Sequence, residues 1–192
     1  MSNLLLHDAL EASYLSTNDA RHKLDKQNYK MDNDLSNIEE KVYYNNKTKD
    51  VLIGYRGSVN FRNDWLGTDV KLLTGNIKNS DRYKRSVDDY EKAKQKYHTD
   101  KVTLVGDSLG GSLASVVGSD KDKILTHNKG VSFGITNKAN EIAYREKGDL
   151  ISILGYFGHN TKTLRNGYLN GGYLNPLFAH NYRLLKNKNI FV

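Results

Sequence analysis

Apolar residues recur along this chain with two different spacings, and the spacing switches several times from one end to the other. In "LLLHDALEASYL", Leu5, Ala9, Ala12 and Leu15 return at intervals of three and four, which predicts a first helix. "KVYYNNKTKDVLIGYRG" holds two short β-rich runs, Val42 to Tyr44 and Val51 to Tyr55, separated by the turn-forming Asn45, Asn46, Lys47 and Thr48. This predicts a hairpin leading to Arg56. "DRYKRSVDDYEKAKQKY" puts Tyr83, Val87, Tyr90 and Tyr97 on one stripe with Asp and Lys opposite, the pattern of a surface helix covering a sheet. Val102 to Val105 reads as a buried strand, the following Gly-Asp-Ser-Leu-Gly as a sharp turn, and Leu109 to Val117 as a helix of small and apolar residues. "GVSFG", Gly130 to Gly134, and "LISILG", Leu150 to Gly155, are further strand candidates. Strands alternating with helices predict an α/β domain with a mostly parallel central sheet flanked by helices.

Composition narrows this picture. A chain of 192 residues, 38% hydrophobic and 27% charged, suits one globular domain spanning 1–192. The start, "MSNLLLHDALEAS", lacks a basic lead and breaks its apolar block at His7, too short for a signal peptide or a membrane span. The expected location is therefore inside a cell or particle. With no cysteine, disulfides, thiolate metal sites and a cysteine nucleophile are excluded. The net charge of +7 is dispersed, which favours loose, transient attraction to an anionic membrane surface. It shows no basic cluster with interleaved aromatics of the kind that binds nucleic acid specifically. Histidine spacing matches no metal motif, so neither metal nor cofactor is expected.

The chemistry concentrates at "VTLVGDSLGGSLA". A strand that turns at once into a helix forces its hinge residue into strained geometry, and positions two away on either side must be small. Gly106 and Gly110 occupy them around Ser108. Such an elbow lifts a hydroxyl to the N-terminus of the next helix, where free N–H groups favour developing negative charge. A serine hydroxyl needs a histidine base and an acid to orient it, here expected in the order serine, acid, histidine. The acids that follow are Asp120, Asp122, Glu141, Glu146 and Asp149. Asp120 and Asp122 are expected within or just after the elbow helix, and Glu141 and Glu146 in a polar stretch. Asp149 stands directly before the apolar "LISILG" and is the expected acid. Of the later histidines, His127 precedes Asp149 and breaks the order; His180 is the expected base, with His159 in reserve. Two donors are needed for the oxyanion: Leu109, after the nucleophile, and Ser58, directly after Tyr55-Arg56-Gly57.

Together, Arg56-Gly57-Ser58, Asp64-Trp65-Leu66 followed by Asp69, the Gly106–Gly111 elbow, the "VSFG" run and "GDLISIL" resemble the class 3 lipase family, the fungal-type branch of the α/β hydrolases. The resemblance runs from about Asp8 to Leu185. It implies an α/β-hydrolase fold reduced in size, a triad of Ser108, Asp149 and His180, an oxyanion hole of Ser58 and Leu109, and acyl-ester lipids as substrate. It also implies a lid over the serine, for which Val59, Phe61, Trp65 and Leu66 are the apolar candidates. The chain departs from the family in carrying Asp107 where histidine is most common, and in an interval from Ser108 to Asp149 shorter than usual. Those departures keep a second reading in view: a catalytically silent lipase-like scaffold with a membrane-binding or structural role in a larger assembly.

Overall fold

Consecutive residues of a strand point to opposite faces of its sheet, so a strand apolar at every position must be covered on both sides. Three short strands here carry adjacent apolar residues on both faces, and they organise the molecule. The computed structural model describes residues 4–58, 77–130, 137–147, 149, 160–164 and 181–192. Within them, seven strands form one sheet in chain order: β1 (Tyr29–Met31), β2 (Glu40–Asn45), β3 (Val51–Tyr55), β4 (Val102–Asp107), β5 (Lys123–His127), β6 (Glu141–Glu146) and β7 (Thr161–Leu164). β1, β2 and β3 pair antiparallel, and β3 through β7 are parallel. The helices are α1 (Leu6–Tyr14), α2 (Thr17–Ala20), α3 (Asp81–Tyr97) and α4 (Leu109–Val117).

The sheet divides its apolar residues between two layers. Leu52 of β3, Val105 of β4 and Leu125 of β5 pack with Leu6, Ala9 and Leu10 of α1 and with Leu185 and Val192. Their chain neighbours Ile53, Leu104 and Ile124 pack on the other face with Tyr90 and Ala93 of α3 and Leu113 and Val117 of α4. Each such Leu, Ile or Val side chain, when fully buried, contributes about 1.5–3 kcal/mol. The predicted first helix and hairpin form as expected, the turn held by Asn45 Oδ1, which accepts from the N–H groups of Lys47 and Thr48 at 3.0 and 3.2 Å. Helix α3 also forms, with the Ser80 hydroxyl accepting from Tyr83 N–H at 3.1 Å to cap it. Of its stripe, Tyr90 is buried and Tyr83, Val87 and Tyr97 pack at the edge of that core.

One sequence expectation needs correction. Glu141 and Glu146 do not lie in an open polar stretch; they are the first and last residues of β6 and both are fully buried. Asp122 lies beyond α4 and ties elements together: it accepts from Val102 N–H at 2.8 Å and from the Tyr90 hydroxyl at 2.8 Å. The strand candidates at Gly130–Gly134 and Leu150–Gly155 fall largely outside the described residues. No helix among the described residues is long and apolar enough to cross a membrane.

Between β2 and α3, Glu40 is 2% exposed and accepts from the Ser86 hydroxyl at 2.7 Å. Burial, reinforced by the neighbouring Asp89 carboxylate, raises its carboxyl to about 8. The folded protein thus keeps a proton that the unfolded chain releases near pH 4.5. Unfolding free energy is therefore expected to fall by about 1.4 kcal/mol per pH unit as pH rises from about 5 to about 6.5. Glu40→Gln is expected to flatten that slope, as read by urea denaturation at the two pH values; an unchanged slope would assign it to another group.

Candidate active site

At the end of β4 the chain reverses into α4 through Ser108, whose backbone sits at φ 54°, ψ −124°. For a residue with a Cβ this is strained by roughly 1–3 kcal/mol and persists only when its surroundings impose it. The imposition is visible in the packing. A Cβ added at Gly106 would come within 2.2 Å of the Gly110 carbonyl oxygen, and one at Gly110 within 2.2 Å of the Tyr55 carbonyl oxygen. Backbone bonds finish the corner: Ser108 N–H donates to His127 O at 3.0 Å, and Gly130 N–H to Ser108 O at 3.1 Å. Ser108 is 3% exposed and its hydroxyl does not cap its own helix. Leu109 opens α4, so its N–H belongs to the first turn, whose donors lack partners within the helix.

The loop after β3 lies directly against this corner. A Cβ at Gly57 would fall 2.8 Å from Asp107 O and 3.2 Å from Ser108 Cβ. Arg82 of α3 holds the loop by donating to the carbonyls of Arg56 and, at 3.3 Å, Glu39. The Ser58 hydroxyl oxygen is buried and has no hydrogen-bond partner among the described residues. A buried hydroxyl without a partner is costly unless something binds there. Gly57, the residue before Ser58, and Leu109 thus both lie at the elbow.

Asp149 is fully buried just beyond β6, its N–H donating to Glu146 O at 3.2 Å. The other acids after the serine are committed elsewhere or exposed. Asp120 is exposed, Asp122 ties β4 to α3, Glu141 pairs with Lys129 at 2.7 Å, and Glu146 lies 3.7 Å from His127 Nε2. His180 and His159, together with Val59, Phe61, Trp65 and Leu66, lie outside the described residues.

The structure superposes on Lip2 lipase from Yarrowia lipolytica with a TM-score of 0.51 at 11% identity, covering 79% of this chain and 74% of that one. It superposes on the Rhizomucor miehei lipase of a propeptide complex with a TM-score of 0.52 at 16% identity, covering 79% of this chain and 62% of that one. The chain has the α/β-hydrolase fold of the fungal lipases. No protein-family model matches it, and no curated protein matches its sequence.

Within this lipase fold, one arrangement escaped the sequence reading. His127 ends β5, in register with Asp107 at the end of β4, and its Nδ1 donates to Asp107 Oδ1 at 2.8 Å. Burial disfavours a charge on this ring, but the Asp107 and Glu146 carboxylates outweigh it and raise His127 to about 9. On the far side of Asp107, the Tyr14 hydroxyl donates to Oδ2 at 2.7 Å and accepts from Gly57 N–H at 3.1 Å. The signal that could have found this pair is register: "GD" at 106–107 and "TH" at 126–127 close adjacent strands. In "DKILTH" only Ile124 and Leu125 are strongly apolar, too short a run to announce a strand.

One further group, His7, Asp8 and Glu11 on α1, brings its potential ligand atoms within 4.8 Å of one another. Glu11 there is already bonded to Lys23 at 2.5 Å, chiefly through which its carboxyl is held below the usual range.

Proposed function

We propose that the protein is a serine carboxylic-ester hydrolase acting on acyl lipids, with Ser108 as nucleophile, His180 as base, Asp149 as its orienting acid, and Ser58 and Leu109 as the oxyanion hole. The observation that carries this reading is the Ser108 elbow at φ 54°, ψ −124°, with the buried Ser58 hydroxyl beside it lacking any described partner. A strained corner paired with an unsatisfied donor is what an oxyanion site requires and what a packing turn does not.

Ser108 Oγ adds to the ester carbonyl carbon while the His180 imidazole takes its proton. The carbonyl oxygen becomes an oxyanion held by the Leu109 N–H and by Ser58. Collapse of this species breaks the ester C–O bond; His180 returns the proton to the departing alcohol, and Ser108 is left acylated. Water, deprotonated by His180, then adds to the acyl carbon, and the carboxylic acid leaves as Ser108 regains its hydrogen. Asp149 fixes the tautomer of the imidazole and stabilises its charged form. Support for His180 comes from its chain neighbour: Tyr182, two residues on, stacks on Tyr14 at 4.7 Å, and the Tyr14 hydroxyl touches both Gly57 and Asp107. Val59, Phe61, Trp65 and Leu66 form the apolar cover that meets lipid. The excess of positive charge, +7, draws the protein to anionic lipid surfaces.

A fluorophosphonate probe tests this reading. The folded protein is expected to be labelled stoichiometrically at Ser108, as located by peptide mass spectrometry, with labelling lost on denaturation. Folded protein that stays unlabelled would favour the silent-scaffold reading.

A further inference from the structure

Beside the elbow lies a buried polar cluster that the ester chemistry leaves unused. Asp107 is 3% exposed and His127 0%, and Glu146 at the end of β6 is equally buried. An apolar trio would fill the same space without desolvating charge, so a packing role gives no reason for these residue types. Their bonding does. Gly57 N–H donates to the Tyr14 oxygen, the Tyr14 hydroxyl to Asp107 Oδ2, and His127 Nδ1 to Asp107 Oδ1, while Ser108 N–H donates to His127 O. These bonds run without a gap from the residue before Ser58 to the backbone of Ser108, through α1, β4 and β5.

We propose that Tyr14, Asp107 and His127 form a positioning bridge that holds the oxyanion loop in register with the nucleophile elbow, an inference that rests on the ester-hydrolase reading above. Its two ends are the residues that must sit at a set distance from each other for Ser58 and Leu109 to grip one oxygen. The bridge also pairs the Asp107 carboxylate with a cation. A lone Asp107 carboxylate next to Ser108 would oppose the oxyanion, and the His127 imidazolium cancels it locally. Among the described residues, the ionisable groups around the ring are Asp107 from β4 and Glu146 from β6. Beyond Asp107 stand Tyr14 of α1, Arg56 with its guanidinium 5.8 Å from the Tyr14 ring centre, and Tyr182 stacked on that ring. Burial and Asp107 hold the Tyr14 hydroxyl well above its ordinary pKa, so it stays a donor.

Tyr14→Phe keeps the ring and its stack on Tyr182 but removes the bridging oxygen. Its kcat for p-nitrophenyl butyrate is expected to fall about tenfold or more, with KM within about twofold and fluorophosphonate labelling slowed in parallel. His127→Gln alone strands the Asp107 charge and is expected to lose more; adding Asp107→Asn removes that charge and restores much of the rate. The wild-type rate is expected to decline as pH rises through about 9, where His127 loses its proton. The Asp107→Asn/His127→Gln pair should lack that decline. A purely structural bond would lower the melting temperature without moving kcat or the pH profile of the folded enzyme. A labelled wild type whose Tyr14→Phe variant matches it in kcat and pH profile overturns the bridge alone. A wild type that is not labelled at Ser108 overturns the hydrolase reading and the bridge together.

Discussion

Replacing Ser108 with alanine is expected to lower ester turnover by roughly four to six orders of magnitude, because no acyl intermediate forms and only binding and the oxyanion donors remain. The fold should survive. The backbone bonds that shape the corner run through Ser108 N–H and Ser108 O, not its side chain, and the elbow's tightness comes from Gly106 and Gly110. Removing one oxygen is therefore expected to change stability by under about 1 kcal/mol. Hydrolysis of a p-nitrophenyl ester, followed beside thermal melting by circular dichroism, measures both. If the folded variant keeps more than about one per cent of wild-type kcat, Ser108 is not the attacking group.

The largest stability effect is expected at Lys129. Its ammonium, 1% exposed, donates to Glu141 Oε1 at 2.7 Å, to Asn137 Oδ1 at 2.6 Å and to Ser115 Oγ at 3.1 Å. Glu141, itself fully buried, also accepts from the Ser115 and Thr126 hydroxyls at 2.9 and 3.0 Å. Burial pulls the Lys129 pKa down, against the pull of Glu141, so the pair is held under desolvation. Lys129→Met leaves a buried carboxylate without its cation and is expected to cost about 3–5 kcal/mol, a large share of the roughly 5–15 kcal/mol that folded domains possess. For a chain of this length that is a drop of roughly 10 °C or more in Tm. Adding Glu141→Gln removes the stranded charge while keeping an acceptor for Ser115 and Thr126, and should recover most of the loss. Denaturant melts of the two single variants and the double measure the coupling; simple additivity would show that the two charges do not depend on each other.

The pair also explains how the elbow is supported from behind. Lys129 precedes Gly130, whose N–H donates to Ser108 O and whose carbonyl accepts from the Ser112 hydroxyl at 2.9 Å. This segment packs against Gly111, where a Cβ would lie 3.2 Å from the Gly106 carbonyl oxygen and in ordinary contact, 3.4 Å, with Lys129 Cα. Nothing in the local sequence marks Lys129 as buried, because lysine is ordinarily a surface residue and its partner Glu141 stands on another strand. Glu141 and Glu146 were misplaced for the same cause. "EIAYRE" shows no clean alternation, and a carboxylate becomes an inward residue only when a cation or donor from elsewhere is there to meet it.

What this sequence determined by itself was local. The helical period of α1 and α3, the hairpin, and the Gly106–Ser108–Gly110 corner follow from spacing and from the small residues a tight reversal demands, forces that act over a few neighbouring residues. Tertiary structure alone decided which polar groups meet: Asp107 with His127 and Tyr14, Lys129 with Glu141, Glu40 with Ser86. Those contacts depend on strand register and on the low dielectric between layers, where a charge is tolerated only with its partner, and the partner's distance along the chain carries no trace of it.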